Sequence, residues 1–182
     1  MNDFIFHNPD KVYFGKNQIQ HLPEELLKHG KKVLLVYGGG SIKRSGLYDT
    51  IRRLIQDSGI QLFELSGVEP NPRHTAVNRG AAICKQEKID VILAAGGGST
   101  IDCAKGIAAA ARTEDGDVWP LVSSGTWVTE AMPVVAILTN AATGSEMDAW
   151  AVISNMKTNE KIGLGGSALI PCAAFENPEY SY

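Results

Sequence analysis

Cysteine is scarce and poorly spaced for chemistry: Cys84, Cys103 and Cys172 are odd in number and widely separated, with no C-x-x-C pair. That argues against a disulfide framework and a thiolate zinc site, and leaves buried free thiols as the expectation. Long apolar runs are missing too. The longest useful one, Met132 to Leu138, falls far short of the about 20 residues that span a bilayer, so no transmembrane segment is expected. Charge of one sign is not in excess: 17 basic against 20 acidic residues leave a net charge of -3 with no basic block. Nothing electrostatic therefore points to nucleic acid or to an anionic membrane. His7, His21, His29 and His74 include no pair at i,i+3 or i,i+4, so no helical face offers two imidazoles to a metal. The start, Met1-Asn2-Asp3-Phe4, carries an acid where a secretory signal needs base, and no apolar core with a small-residue cleavage site follows. A cytoplasmic protein is expected.

What the chain does have is glycine in telling places. Gly38-Gly39-Gly40-Ser41 follows the apolar stretch Val33 to Tyr37, and Gly96-Gly97-Gly98-Ser99 follows Val91 to Ala95. Each run leads into a segment that can be helical, so each puts bare backbone at the carboxyl end of a strand, where open α/β sheets bind ligands. Without a Cβ, the turn can take positive φ and let phosphate oxygens approach, while the following helix offers unpaired N–H groups and the positive end of its dipole. A dinucleotide pyrophosphate is the expected guest. The strict G-x-G-x-x-G fingerprint is absent from both runs, and a single glycine turn can be a plain connection; two in one chain strengthen the case.

At 182 residues the chain suits one substantial core rather than two domains, and 44% hydrophobic with 20% charged residues argues for a folded globule. The pattern reads as strand near Val12 to Phe14, strand 33 to 37, helix from Gly46 to Asp57, strand 61 to 65, helix 73 to 87, strand 91 to 95 and helix 99 to 112. This alternation predicts βαβ units, a Rossmann-like parallel sheet with flanking helices on both faces. Leu47, Ile51, Leu54 and Ile55 form an apolar helical stripe. Thr113 to Gly125, with an acidic turn and Pro120, reads as turn chemistry. Val134 to Leu138 is a further buried strand running into a third small-residue loop, Thr139 to Glu146. Trp150 to Ile153 and Lys161 to Leu164 suggest a small antiparallel hairpin, and Cys172 to Phe175 a last strand.

Taken in order, His7-Asn8-Pro9 with Phe14-Gly15, Tyr37-Gly38-Gly39-Gly40-Ser41, Pro70-Asn71-Pro72, Gly96-Gly97-Gly98-Ser99-x-x-Asp102 and Thr139-x-x-Ala142-Thr143-Gly144-Ser145-Glu146 resemble the iron-containing alcohol dehydrogenase family, most closely its butanol dehydrogenase and broad aldehyde reductase branch. The motifs cover essentially the whole chain. The resemblance implies that residues 1–182 are an amino-terminal dinucleotide-binding domain. In the family a second, all-helical domain follows and carries Fe2+ or Zn2+ on an aspartate and three histidines, where the metal polarises the carbonyl or alkoxide oxygen. Here the sequence stops at Tyr182, just short of where the first of those ligands would come. The helical domain and its metal ligands are thus expected to be absent, and this chain by itself to be inactive.

Individual residues carry two readings each. Gly97, Gly98 and Ser99 can cradle a pyrophosphate through backbone N–H groups, or form a tight turn with Ser99 as helix cap. Ser99-x-x-Asp102 also fits an acidic capping box, whereas the resemblance places Asp102 near the nicotinamide. Thr139, Thr143 and Ser145 offer hydroxyls to ribose or phosphate, or are ordinary turn residues; the resemblance favours Thr139 and Thr143. Asn71 between two prolines suits the adenosine side or a rigid corner. By resemblance Lys161 faces the cofactor, and Asp148 and Tyr180 line the nicotinamide or substrate cleft. NAD-preferring relatives place an aspartate where Gly38 stands, to hold the ribose diol. Gly38-Gly39-Gly40-Ser41, with Lys43 and Arg44 nearby, favours NADP(H), with NAD(H) the alternative.

The expected activity of the complete enzyme is hydride transfer between the nicotinamide and a small alcohol or aldehyde, in a homo-oligomer. A rim near Trp150, Phe175 and Tyr180 would expose an apolar patch where the helical domain docks. Two alternatives stay open: a glycerol dehydrogenase or dehydroquinate synthase relative, and a stand-alone nucleotide-binding module without catalysis.

Overall fold

The computed structural model describes residues 8–181, so His7 of the first motif, the preceding residues and Tyr182 lie outside it. Six strands form a parallel sheet: β1 (Lys11–Phe14), β2 (Lys32–Tyr37), β3 (Gln61–Leu65), β4 (Val91–Gly97), β5 (Val134–Asn140) and, last in the chain, β8 (Ala173–Glu176). Their order across the sheet is β1-β8-β5-β4-β2-β3. A separate antiparallel pair, β6 (Trp150–Asn155) and β7 (Glu160–Gly165), aligns Trp150 with Gly165. The helices are α1 (Leu22–Leu27), α2 (Ser41–Arg44), α3 (Leu47–Asp57), α4 (His74–Glu87), α5 (Gly98–Ala110) and α6 (Trp119–Ser124).

The near-continuous apolar strands resolve into alternate residues feeding two cores, because successive side chains leave opposite faces of a strand. On β2, Leu34 and Val36 join one core with Ile92 and Ala94 of β4 and with α4, α5 and the hairpin. Val33, Leu35 and Tyr37 join the other, with Val91, Leu93 and the buried face of α3. Register pairs Leu35 with Leu93 and Ala94 with Ala136. Burying such a sheet on both faces is what forces its helices into two layers. Of the α3 stripe, Leu47, Ile51 and Ile55 are buried, while Leu54 is only half-buried at its border. Helix α5 is enclosed by α4, the sheet and β6. At Gly80 on α4 a Cβ would stand 2.3 Å from Ile107 Cδ1 of α5, so only glycine permits this approach.

Three expectations are corrected and one helix is added. The stretch 113 to 125 is not only turn: it contains α6, because Pro120 stands in the first helical turn, where its missing N–H costs nothing. Pro23 opens α1 in the same way, a helix the apolar pattern alone does not mark. Cys84 and Cys103 are buried free thiols, but Cys172 is exposed, since it lies just ahead of β8 at the end of the sheet where cover runs out. Phe175 does not join an exposed rim: its ring stacks on Tyr13 of β1 with centroids 4.6 Å apart, inside the core. The exposed aromatic pair is Trp150 with Trp127, meeting edge to face at 5.8 Å.

Candidate cofactor site

The chain leaves β2 towards the β3 edge and leaves β4 towards β5, so the connections diverge between adjacent strands β2 and β4. Such a switch point opens a crevice at the carboxyl ends of the strands. Both glycine runs stand there, one after each strand. Gly40, at φ +112, takes the left-handed conformation that turns the chain from β2 into α2. The crevice is an open cleft of about 610 Å³ lined by Ser41 and Arg44 after β2, Gly97 at the end of β4, Thr139 and Asn140 at the end of β5, and Tyr180.

Strand β4 runs through Gly97 straight into α5, with Gly97 as the cap residue and no side chain capping the helix. The anticipated Ser99-Asp102 capping box is therefore not formed. Ser99 lies inside the first turn, and its Oγ instead accepts the Asn71 N–H at 3.2 Å. The first-turn N–H groups of this 13-residue helix, uncapped by any side chain, face the cleft end with the positive end of the dipole. Across from them, Thr143 Oγ1 would stand 2.9 Å from a Cβ built on Gly98, so the glycine leaves room that a side chain would fill. Beside Gly96 and Gly97 the β4–β5 register slips, with Gly96 opposite Leu138 and Gly97 opposite Asn140. Thr139 is the extra residue of this bulge, and a bulge re-aims its side chain; here it lines the cleft. A donor-lined, side-chain-free cradle on a helix N-terminus fits a dinucleotide pyrophosphate.

Asn71, at φ +55, brings two distant elements together: its Oδ1 accepts Lys161 Nζ of β7, and its N–H meets Ser99 at the start of α5. Lys43 does not point into the cleft but lies over the rings of Tyr37 and Tyr48; Arg44 is the basic residue that lines it. Gly39 is exposed with nothing near a Cβ position, whereas a Cβ at Gly38 would meet the Val68 carbonyl at 3.3 Å.

Asp102 is mostly buried on α5. Its Oδ1 accepts the Ser145 hydroxyl at 2.6 Å and its Oδ2 the Val152 N–H at 3.0 Å. Burial raises its pKa above the ordinary carboxylate value, and those two hydrogen bonds oppose the rise. Asp148 turns towards Lys105 rather than the cleft. Lys105 is fully buried, and its Nζ donates to Asp148 Oδ1, the Asp148 carbonyl and the Trp150 carbonyl, each at 2.8 Å. Burial lowers its pKa, against the pull of Asp148. The sequence reading passes over Lys105; the available signal is its i,i+3 spacing from Asp102 in an otherwise apolar helix.

Among the described residues no group of three His, Cys, Asp or Glu side chains could hold a metal ion. His21 stacks on Tyr13, and His74 packs against Trp119 on the far side of the sheet. The residues present do not fit the metal of the resembled family. Among them, too, no helix is long and apolar enough to cross a membrane.

A diverging pair of glycine loops at the carboxyl ends of a parallel sheet covered on both faces is an α/β architecture, and comparison narrows the class. Residues 9–178 match the iron-containing alcohol dehydrogenase family, and the chain belongs to it. It is 49% identical over its whole length to NADH-dependent butanol dehydrogenase A of Clostridium acetobutylicum, covering 46% of that protein. It is 37% identical to the NADPH-dependent aldehyde reductase YqhD of Escherichia coli, covering 47%. Among solved structures, the NADH-dependent butanol dehydrogenase A of Thermotoga maritima superposes on 99% of the chain with TM-score 0.93 and 42% identity, 45% of that protein being covered. The chain thus spans about half the length of the curated relatives it matches.

Proposed function

We propose that residues 1–182 are the amino-terminal, nicotinamide dinucleotide-binding domain of an NAD(P)-dependent alcohol dehydrogenase or aldehyde reductase, acting on a small primary alcohol or aldehyde. The observation that carries this reading is the uncapped N-terminus of α5 opening into a cleft at the β2–β4 divergence. When bound, the nicotinamide supplies the hydride that passes to or from a carbonyl carbon. The chain's own part is binding. Backbone N–H groups of Gly98 and Ser99 hold the pyrophosphate, with Thr139 and Thr143 offering hydroxyls from the facing loop. Ser41 and Arg44 stand beside the adenosine ribose; Asn71 and Lys161 brace the start of α5, and Tyr180 closes the rim. Asp102 and Asp148 shape this wall from behind. The exposed Trp127–Trp150 pair supports a homo-oligomer or a docking second domain.

For the choice of dinucleotide, Gly38 leaves no carboxylate to repel a 2′-phosphate, and Arg44, close to Gly40, lines the cleft. Glu64, the acid at the end of β3, is engaged by the hydroxyls of Tyr37 and Tyr48. This supports NADP(H) over NAD(H). Calorimetric titration should show NADPH binding more tightly than NADH, by about tenfold for one added charge-assisted contact. Gly38→Asp should reverse the order, after a few tenths of an ångström of adjustment against Val68. Equal or tighter NADH binding by the native chain would remove the preference, and no binding of either would remove the function. The chain alone should reduce no butanal with added iron(II) or zinc(II), which an absorbance assay at saturating NADPH checks.

A further inference from the structure

Lys105 is a fully buried ammonium in a helix whose other buried residues, Thr100 apart, are apolar or glycine. Taking such a charge out of water is costly unless every donor is paired. Here the three donors meet three oxygens, all on residues 148 and 150. One turn earlier on the same face, Asp102 grips Ser145 and the Val152 N–H. Two oppositely charged side chains at i,i+3 thus fasten one segment, 145 to 152, along α5. That segment continues the loop carrying Thr139 and Thr143, which faces the glycine turn at the head of the same helix. Filling space alone would ask for methionine or leucine at position 105; an ammonium with three oriented acceptors specifies where the segment sits along the helix.

We propose that Lys105 is a positioning residue for the dinucleotide: by tying Asp148 and Trp150 to α5, it sets the gap between the helix N-terminus and the 139–145 loop. This rests on the cleft being the nicotinamide dinucleotide site. Lys105 itself touches no cofactor; its neighbours Asp102, Asp148 and Glu146 share the electrostatic surroundings, and the side chain ends at the clamp.

The test is made in the intact protein by fluorescence titration with NADPH and NADH. Lys105→Met should weaken binding of the preferred dinucleotide by about tenfold, as one lost well-placed contact does. In turnover of protein in which these residues are joined to the family's metal-bearing domain, KM for the dinucleotide should rise by a similar factor while kcat stays within about threefold. Val77→Ala, a core change on α4 against the same helix, should lower the melting temperature without moving either constant. Should Lys105→Met fail to fold, Asp148→Asn weakens the clamp from its half-exposed end and should cost about threefold in affinity. Native affinity in Lys105→Met or, where that fails to fold, in Asp148→Asn overturns the proposal, as does an equal loss in Val77→Ala. If the unaltered protein binds neither dinucleotide, the assignment of the cleft fails instead.

Discussion

Two buried charge clusters stand on opposite faces of the sheet and are built inside out relative to each other. Around Glu25 of α1 the carboxylate is buried and the cations reach water: Lys11 at 2.8 Å, Lys28 at 2.6 Å and the Tyr13 hydroxyl all donate to Oε1. Around Lys105 the ammonium is buried and its carboxylate partner, Asp148, is 40% exposed. In the first, burial pushes the Glu25 carboxyl up, but the bonds from Lys11, Lys28 and Tyr13 outweigh it and hold the pKa down to about 2. In the second, burial prevails over the carboxylates, and the lysine is pushed down. The first cluster joins α1 to edge strand β1, well away from the glycine loops. The second joins α5 to the segment behind the cleft. The lesson is that a buried ion pair has a functional consequence only through what it fastens, so the two should separate stability from binding.

The sharpest way to break that contrast is Glu25→Ala. It leaves the Tyr13 hydroxyl without its acceptor, and should cost about 3 kcal/mol, the low end for a broken buried pair because both lysines remain half in water. Dinucleotide affinity should not change. The sign with pH follows from the depressed carboxyl: its contribution is complete above the ordinary value of 4.5 and is lost as pH falls from there towards 2. Urea titrations of native and variant chains should therefore draw together as pH falls from 4.5 and converge only at about pH 2; parallel curves would contradict the assignment.

Asp102→Ala is the intermediate case. It removes the acceptor of a buried N–H and of Ser145, so about 1–3 kcal/mol should be lost. Unlike the Glu25 change, it should also weaken dinucleotide binding, since Ser145 adjoins the loop facing Gly98. A loss of stability with full affinity would put Asp102 with Glu25, as scaffold alone. The smallest effect is expected from Ser99→Ala, whose exposed contact with Asn71 is worth about 0.5–1 kcal/mol. Thermal melts with and without NADPH would show whether even that is felt more strongly in the bound state.

The parts of this structure that could be read in the chain are those set by local rules. Val33 to Tyr37 and Val91 to Ala95 carry no charged residue, with β-branched Val33, Val36, Val91 and Ile92 among them, and they are central strands. The α3 stripe at 47, 51 and 55 and the 150–165 hairpin follow from period alone. What escaped reading depended on neighbours distant in sequence. Pro120 signals a turn or a helix start equally well, and the contacts of Asp117 with Asn78 and the Trp119 N–H go with the second. Phe175 closes a strand, but whether its ring faces core or solvent depends on Tyr13 lying beside it. Ser99 and Asp102 satisfy a capping pattern, yet β4 running on to Gly97 takes the cap position, and each side chain finds a partner far along the chain.

By itself, the sequence determined the alternation of strands and helices, the two glycine turns, the family, and the absence of a histidine pair at helical spacing, because these depend on residue type and short spacing. Only the tertiary structure decided which strands are adjacent, and hence that both glycine turns open at one switch point. It also decided that a register slip aims Thr139 into the cleft, and that Lys105 finds three oxygens more than 40 residues away. The physical reason is that a charge or a bulge has no fixed meaning along a chain: its energy depends on the dielectric and the partners around it, and folding supplies both.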